Sequence, residues 1–420
     1  MRPKKLLYLV ANDRYFCSHR LSLALTAKQH GYDVTVITPA LGDHQKIIDA
    51  GLNFIPLSFK RGGLNPLSEL KTIYQIWKIY KRIEPDVVHH VALKPVLYGT
   101  IAALMARIPH IVNAIAGLGH IFAAGSWLKL PLRFALRFLL KHKNVKIIVQ
   151  NPEDAEEIRK LVDCHKNRSF SKPTFLALSS SHSLRGSLDP RIKSEDDTMK
   201  KVIKNIVDDK EGSQKKSNIH LILGAGVNLN KFKPKKEPPT PPLKIIHVSR
   251  LLWTKGIKEL VEAGQILKKQ GHDIQIQIVG EPDLENPAVI PAKTLKEWHD
   301  QNLIEWLGHR SDIADLYQQS HIACLASYYR EGIPKSLIEA AACGKPIITC
   351  DMPGCRIIVE DGKNGFLIPP RDPKALAEAI CKLLDLTLRQ KMSEASRLHA
   401  ETYFGEEVIN AQTLELYHSS

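Results

Sequence analysis

The sequence predicts an α/β protein of two doubly wound lobes facing a cleft. Three observations carry this. Short β-branched runs alternate with longer helical patterns in two successive sets, a proline-rich connector at 231–242 separates the sets, and 420 residues that are 44% hydrophobic suffice for more than one core.

In the first set, residues 6–10, 34–38, 87–91, 111–115 and 146–150 read as strands, each followed by a candidate helix, the rhythm of βαβ units around a parallel sheet. The clearest helix spans 66–82. Asn65 caps it, Pro66 takes the first position with its fixed φ, and Leu70, Ile73, Ile76, Trp77 and Tyr80 recur at helical spacing. Residues 164–219 break the rhythm: they are rich in Ser, Lys and Asp and lack apolar periodicity, as expected of a disordered surface insertion. Within them, 183–197 also resembles the translated form of small mobile palindromic repeats found in bacterial reading frames. The prolines of 231–242 then stiffen an exposed connector. Strands of the second set fall at 244–249, 274–279, 304–307, 322–326 and 346–350. The expected division is an N-terminal lobe over 1–235, a C-terminal lobe over 243–400 and a closing segment over 401–420.

Composition narrows the function classes. No run reaches the roughly 20 unbroken apolar residues that span a bilayer; the longest, 101–116, is interrupted by Arg107 and Pro109. Met1-Arg2-Pro3-Lys4-Lys5 leads into a short strand without the apolar core of a secretory signal, so a cytoplasmic location is expected. The seven cysteines lack CxxC spacing, and Cys324, Cys350 and Cys381 sit in apolar runs, which suggests neither disulfides nor a zinc site. Net charge is +15 but uneven: +11 over 1–163, +5 over 164–219 and −1 over 220–420. A basic first lobe suits nucleic acid, anionic lipid or a phosphorylated acceptor. No recognisable nucleic-acid module accompanies it, so nucleic acid is not an expected partner.

Chemistry concentrates in the second lobe. Arg250 ends the strand at 244–249, and Lys255 follows Thr254, the expected cap of a helix that continues to Lys269 and stops at Gly271. Both cations then stand at the carboxyl edge of a parallel sheet, where ligands bind. A lysine in a first helical turn is opposed by the dipole, so either an anion sits before Lys255 or the side chain is simply solvated. Further on, Arg330-Glu331-Gly332-Ile333-Pro334-Lys335-Ser336 follows an apolar strand and opens a helix that ends at Gly344. Gly332 lets backbone approach a ligand, and Pro334 is preset for the first turn. The amides of Lys335 and Ser336 are then expected to point outward as phosphate donors. Glu331 in the loop and Glu339 one turn into the helix can face one cleft and accept hydrogen bonds from sugar hydroxyls. A surface loop capping a core helix explains the glycines and alanines but not an acid pair with a lysine between.

Glu331, Glu339, Ala340, Ala342, Gly344 and Pro346 resemble the signature of the large retaining glycosyltransferase family 4, of GT-B fold with two Rossmann-like lobes. The turn from Arg250 to Lys255-Gly256, the pair Val279-Gly280 and the stretch 361–370 extend the resemblance over nearly all of 220–420. By that resemblance Arg250 and Lys255 hold a diphosphate, Glu331 binds donor-sugar hydroxyls and Glu339 the ribose. Gly280, Gly332, Ile333, Pro334, Lys335 and Ser336 belong to the donor-binding surface. The last helix, within 401–420, is expected to cross back to the first lobe.

The first lobe is similar to a narrower group that builds capsule, O-antigen and lipid-linked glycans, through Asp13, Tyr15, Phe16, Ser18, His19, Arg20, His89, His90, Lys94, Pro95, Gly117, Gly119 and Gln150-Asn151-Pro152-Glu153-Asp154. Asp13, His19, His90, Gly117 and Gly119 are the implied acceptor-side residues. Two departures bear on them: Asn12-Asp13 replaces a Gly-Gly loop, and Ala116 replaces a histidine before Gly117. The stretch 127–146, opening on Trp127 and closing on Lys146, sets Lys129, Arg133, Arg137 and Lys141 at i+4 steps among Leu128, Leu132, Phe134, Phe138 and Leu139. That is the pattern of a basic interfacial helix or of a core helix with a solvated side, and the acid-free span 93–152 favours an anionic membrane surface.

The resulting expectation is transfer of a hexose or N-acetylhexosamine from a UDP-sugar to a lipid-linked saccharide at the inner face of the cell membrane, with retention and without a metal or other cofactor. A nucleotide-sugar epimerase of the same fold and a degenerate binding protein are the alternatives.

Overall fold

The computed structural model describes residues 2–58, 66–115, 129–163 and 218–418. Asn65, Gly117, Gly119, Trp127 and all but the end of the expected insertion lie outside these residues, as do the side chains of Lys129 and Arg133.

The N-terminal lobe runs β1 (Lys4–Val10), α1 (Asp13–His19), α2 (Leu21–Gln29), β2 (Tyr32–Thr38), α3 (His44–Asp49), β3 (Asn53–Pro56), α4 (Pro66–Ile83), β4 (Val87–Val91), α5 (Leu93–Ala106), β5 (His110–Ile115), α6 (Lys129–Leu140), β6 (Val145–Val149), α7 (Pro152–Asp163) and β7 (Ile219–Leu221). Its seven parallel strands lie in the order β3-β2-β1-β4-β5-β6-β7. Helices cover both faces, which is why β1 reads as an unbroken apolar run from Leu6 to Val10. Leu7 and Leu9 meet Ile76 and Tyr80 of α4 on one face, while Leu6, Tyr8 and Val10 meet Leu23 and Ala27 of α2 on the other. Two expectations shift here. Leu70, placed by spacing on the buried stripe of α4, is exposed, and the stripe begins at Ile73. Ile219, read as the end of the insertion, opens β7 and pairs with Ile147.

The C-terminal lobe runs β8 (Leu243–Val248), a 3-10 turn (Trp253–Lys255), α8 (Ile257–Lys269), β9 (Ile274–Val279), α9 (Ala292–Asp300), β10 (Glu305–Trp306), α10 (Ile313–Gln318), β11 (Ile322–Leu325), α11 (Lys335–Ala342), β12 (Ile347–Cys350), α12 (Pro353–Arg356), β13 (Gly365–Ile368), α13 (Pro373–Lys382), α14 (Leu386–Tyr403) and α15 (Glu406–His418). The parallel order is β10-β9-β8-β11-β12-β13. In each sheet the order reverses direction beside the first strand, between β1 and β4 and between β8 and β11, and such switch points form crevices at the carboxyl edge. α15 packs on the first lobe: Ile409, Leu414 and Tyr417 join the core beneath β1 and α2. Asn410 donates to Ser22 and Thr26, and the hydroxyls of Tyr417 and Tyr8 share a hydrogen bond. Among the described residues no helix is long and apolar enough to cross a membrane.

Candidate active site

The site grows from the turn after β8. The expected helix cap at Thr254 is not formed. Instead Trp253–Lys255 make a 3-10 turn, and Gly256, with φ of 75°, precedes α8. Packing dictates the glycine, because a Cβ there would lie 2.1 Å from the Ala326 carbonyl oxygen. The close approach presses Lys255 against the loop after β11, ahead of the helix dipole rather than within its first turn. There the Lys255 ammonium donates to Glu331 Oε2 at 2.5 Å, and the Ser327 hydroxyl donates to Oε1 at 2.6 Å. The Tyr328 amide donates to the Thr254 carbonyl at 3.1 Å and ties the same loop to the turn. Both oxygens of Glu331 are thus oriented, and each keeps a lone pair for a ligand hydroxyl.

Arg250 is elsewhere engaged: its guanidinium donates to Asp283 at 2.9 Å and its side chain is 62% exposed. Burial first, then the Glu331 charge, raises the Tyr329 hydroxyl, while Arg250 lowers it, so the two charges flank that ring. Below them His247 is buried, hydrogen-bonded to the Ser249 hydroxyl, and lowered to about 3 by desolvation and then by Lys255. Gly280 has φ of 141°, and a Cβ on it would lie 1.9 Å from the Ser249 carbonyl oxygen. Its amide donates to Gly308, so it serves close strand packing.

Pro334 is the N-cap of α11 rather than its first residue. The Leu337 and Ile338 amides return to the Pro334 carbonyl, which leaves the first two helical amides, Lys335 and Ser336, without a partner inside the helix. Glu339, one turn on, lies 3.2 Å from the Lys335 ammonium. Burial raises its carboxyl, and Lys335 opposes that shift. Among the described residues the two glutamates share no hydrogen-bond partner; Lys255 holds one and Lys335 the other. Gly354 lets the start of α12 reach this loop, since a Cβ there would lie 1.9 Å from the Gly332 carbonyl oxygen.

The N-terminal lobe grips the same loop. Arg330 forks onto Glu157 at 2.7 Å and onto the buried Asp154 at 2.9 Å. Asn151 donates to Asp154 and fixes it further, which offsets part of the upward push of burial on its carboxyl. The Ile333 amide donates to Gln150 at 3.1 Å, Lys335 to the Ser18 carbonyl at 2.6 Å, and Arg356 to Glu153 at 2.7 Å. Sequence reasoning gave roles to neither Ser327 nor Arg330, and quoted Gln150 and Asp154 only as a motif. The available signal was a lone arginine beside Glu331 and an acidic run at the start of α7.

The acceptor-side residues divide. Asp13 is buried and accepts from the amides of Arg14, Leu41 and Asp43, so it fastens the loop after β2. His90 is sealed between Tyr80 and Asn113, at 2.9 and 2.8 Å, and burial lowers it to about 4. Both are scaffold in this geometry. His19 stays at the lobe boundary, stacked on Tyr15 and lowered to about 3 by burial, then by Lys335 and Arg20. Gly117 and Gly119 lie outside the described residues.

Comparison with known proteins bears on this arrangement. Residues 229–399 match the family model of the glycosyl transferases group 1, and residues 5–151 that of the glycosyl transferase 4-like domain. The N,N'-diacetylbacillosaminyl-diphospho-undecaprenol alpha-1,3-N-acetylgalactosaminyltransferase of Campylobacter jejuni is 29% identical over 95% of this chain and 94% of its own length. The putative colanic acid biosynthesis glycosyltransferase WcaL of Escherichia coli is 30% identical over 46% of this chain and 49% of its own. Among solved structures, that of Anabaena HepE with UDP and glucose superposes with a TM-score of 0.70 at 19% identity, covering 99% of this chain and 100% of the other.

Proposed function

The chain belongs to the group 1, family 4-like glycosyltransferases, whose models match its two lobes, and from that premise we propose that it moves a hexose or N-acetylhexosamine from a UDP-sugar to a lipid-linked saccharide with retention at the anomeric carbon. One observation carries the reading: the Glu331 carboxylate, held between Lys255 and Ser327, borders a helix start at the lobe boundary whose first two amides have no partner inside the helix. The diphosphate lies against Lys255, Arg250 and those amides. Glu331 accepts from the donor sugar and Glu339 from the ribose. Arg250 exchanges Asp283 for phosphate as the donor enters, and catalysis comes from stabilising the departing diphosphate without a protein nucleophile or a metal. The diphospho-undecaprenol acceptor in the name of the Campylobacter relative supports the acceptor class.

The same proposal places the protein on the inner face of the cell membrane. α6 exposes Phe134 and Phe138, 74% and 77% accessible, beside Arg137 and Lys141, and α4 exposes Leu67, Leu70 and Tyr74. Rings and basic side chains in this combination suit an anionic lipid surface.

The test is incubation of the purified chain with labelled UDP-sugars and lipid-linked saccharides in detergent. Label from one UDP-sugar should reach the lipid fraction with its anomeric configuration unchanged, read by NMR coupling. Donor interconversion without acceptor would identify an epimerase instead, and calorimetry without UDP binding a degenerate protein.

A further inference from the structure

Each cation assigned to the diphosphate holds a carboxylate of this chain: Lys255 pairs with Glu331, and Arg250 with Asp283. The two pairs differ in kind. Lys255 and Glu331 are largely enclosed, and the Ser327 hydroxyl fixes Glu331 from a second direction, so that pair is part of the site's frame. Arg250 is an exposed side chain that donates once to Asp283, from Nη1. A pair with one partner so exposed is weak and exchanges readily for another anion.

Asp283 is nevertheless held where it is. It stands on the loop after β9, and backbone hydrogen bonds sew that loop to the turn that carries Arg250. The Leu251 amide donates to the Glu281 carbonyl at 3.1 Å, the Trp253 amide to Ala288 at 2.8 Å and the Ile290 amide to Leu251 at 3.0 Å. Leu251 and Ile290 are fully buried in the core of the second lobe, so loop and turn form one unit. Within the loop the Asn286 amide returns to the Asp283 carbonyl at 2.9 Å, which closes a turn at the carboxylate. Among the described residues Arg250 is the one hydrogen-bond partner of the Asp283 side chain. Its short side chain, on a backbone fixed in this way, keeps the negative charge beside Arg250 even when their contact breaks.

That placement sets the sign of its effect. A diphosphate that takes the guanidinium must first displace Asp283, and a competitor tethered to the same unit is not diluted away. Resting on the transferase reading above, we infer that Asp283 is a resident counter-anion of Arg250. It lowers the affinity of the site for a nucleoside diphosphate and hastens release of the one left after sugar transfer, by taking Arg250 back as the diphosphate departs. Such a residue trades tight donor binding for turnover, which matters where product release limits the rate.

The experiment is calorimetry with UDP on full-length wild type, Asp283→Asn, Arg250→Ala and the double variant. Asp283→Asn should bind UDP about fivefold more tightly, the most that an exposed ion pair is worth. UDP should leave it more slowly in a displacement assay, and inhibition of transfer by UDP should strengthen by the same factor. Asp283→Glu, which restores the charge, should return toward wild type, and Asp283→Ser repeats the loss of charge with a second side chain. With Arg250 already replaced by Ala, Asp283→Asn should lose most of its effect. Weaker or unchanged UDP binding in both Asp283→Asn and Asp283→Ser overturns the counter-anion role, as does tighter binding that persists in full without Arg250. If wild type binds no UDP, the nucleotide reading fails and takes this role with it, whereas UDP binding to wild type with the wrong sign in the variants overturns the role of Asp283 alone.

Discussion

Lys255 and Glu331 should separate chemistry from stability when changed singly and together. Their side chains are 10% and 21% exposed and meet at 2.5 Å. At an effective dielectric of about 20 the attraction is roughly 6–7 kcal/mol before desolvation, which offsets much of it. Removing one partner of a buried pair costs about 3–5 kcal/mol. Because the Ser327 hydroxyl still reaches Glu331, Lys255→Ala should fall at the low end, about 3 kcal/mol, with a lowered melting temperature. Its kcat should drop by about 10²–10³, the usual loss when one donor to a developing anion is removed. Lys255→Met with Glu331→Gln removes both charges and should recover wild-type stability to within about 1 kcal/mol, yet leave kcat low. Steady-state transfer assays and thermal melts of wild type, Lys255→Met, Glu331→Gln and the double variant close the cycle. If the double variant regained kcat, or Lys255→Ala kept it within threefold, the pair would be structural and the diphosphate role of Lys255 would be lost.

Four further outcomes follow from the same geometry. Arg330→Ala removes the fork onto Asp154 and Glu157, so the donor KM should rise about tenfold, the worth of roughly one charge-assisted bond; small-angle scattering should show a wider cleft, and an unchanged KM refutes the clasp. Replacing Phe134 and Phe138 together with Ser should cut sedimentation with anionic vesicles while leaving activity on a soluble acceptor analogue, and undiminished vesicle binding would place the membrane face elsewhere. If Arg250 and Lys255 meet the diphosphate charge as proposed, EDTA should leave transfer unchanged; loss of activity restored by Mg²⁺ would contradict this. The Glu360 carboxyl is held at about 2, below its ordinary 4.5, chiefly by the hydrogen bond from His399. A depressed carboxyl stabilises the fold above its unfolded pKa and loses that stabilisation as it is protonated, so the stability gap between wild type and His399→Phe should close as pH falls from about 5 toward 2; a gap that stays constant over that window in thermal melts refutes the linkage.

The fold was legible where burial on both sheet faces turns strands into apolar runs, as in β1 and β11, and where helical spacing is long, as in α4. It was less legible where a tertiary contact overrides local pattern. Thr254 has the chemistry of a cap, but the Ala326 carbonyl leaves room only for Gly256 and sets the turn instead. β3 is four residues long and ends in Pro56, too short to announce itself. In the site, Glu331 and Glu339 stood out through the glycine, the proline and the helix between them. The Lys255 contact did not, because it depends on how the loop after β11 lies over the turn after β8. His90 shows the converse: a histidine on an apolar strand fits a catalyst or a core, and only its enclosure by Tyr80 and Asn113 decides.

The contact between the lobes runs against their net charges. The first lobe is +11 over 1–163, yet it meets the donor loop through Glu153, Asp154 and Glu157, while the nearly neutral second lobe supplies Arg330 and Arg356. The helix explains the inversion: acids in the first turn of α7 are favoured by its dipole whatever the charge of the surrounding surface. The two arginines differ in their exposure to salt. Arg356 and Glu153 are 46% and 38% accessible and are screened as any surface pair, whereas Asp154 beneath Arg330 is fully enclosed. Salt therefore acts on the approach of the lobes through the outer pair and leaves the inner fork intact once closed. Because the fork is adjacent in sequence to Glu331, the contact between the lobes and the placement of that carboxylate are coupled, and a C-terminal lobe cut free of residues 1–163 would lose the Asp154 and Glu157 contacts beside it.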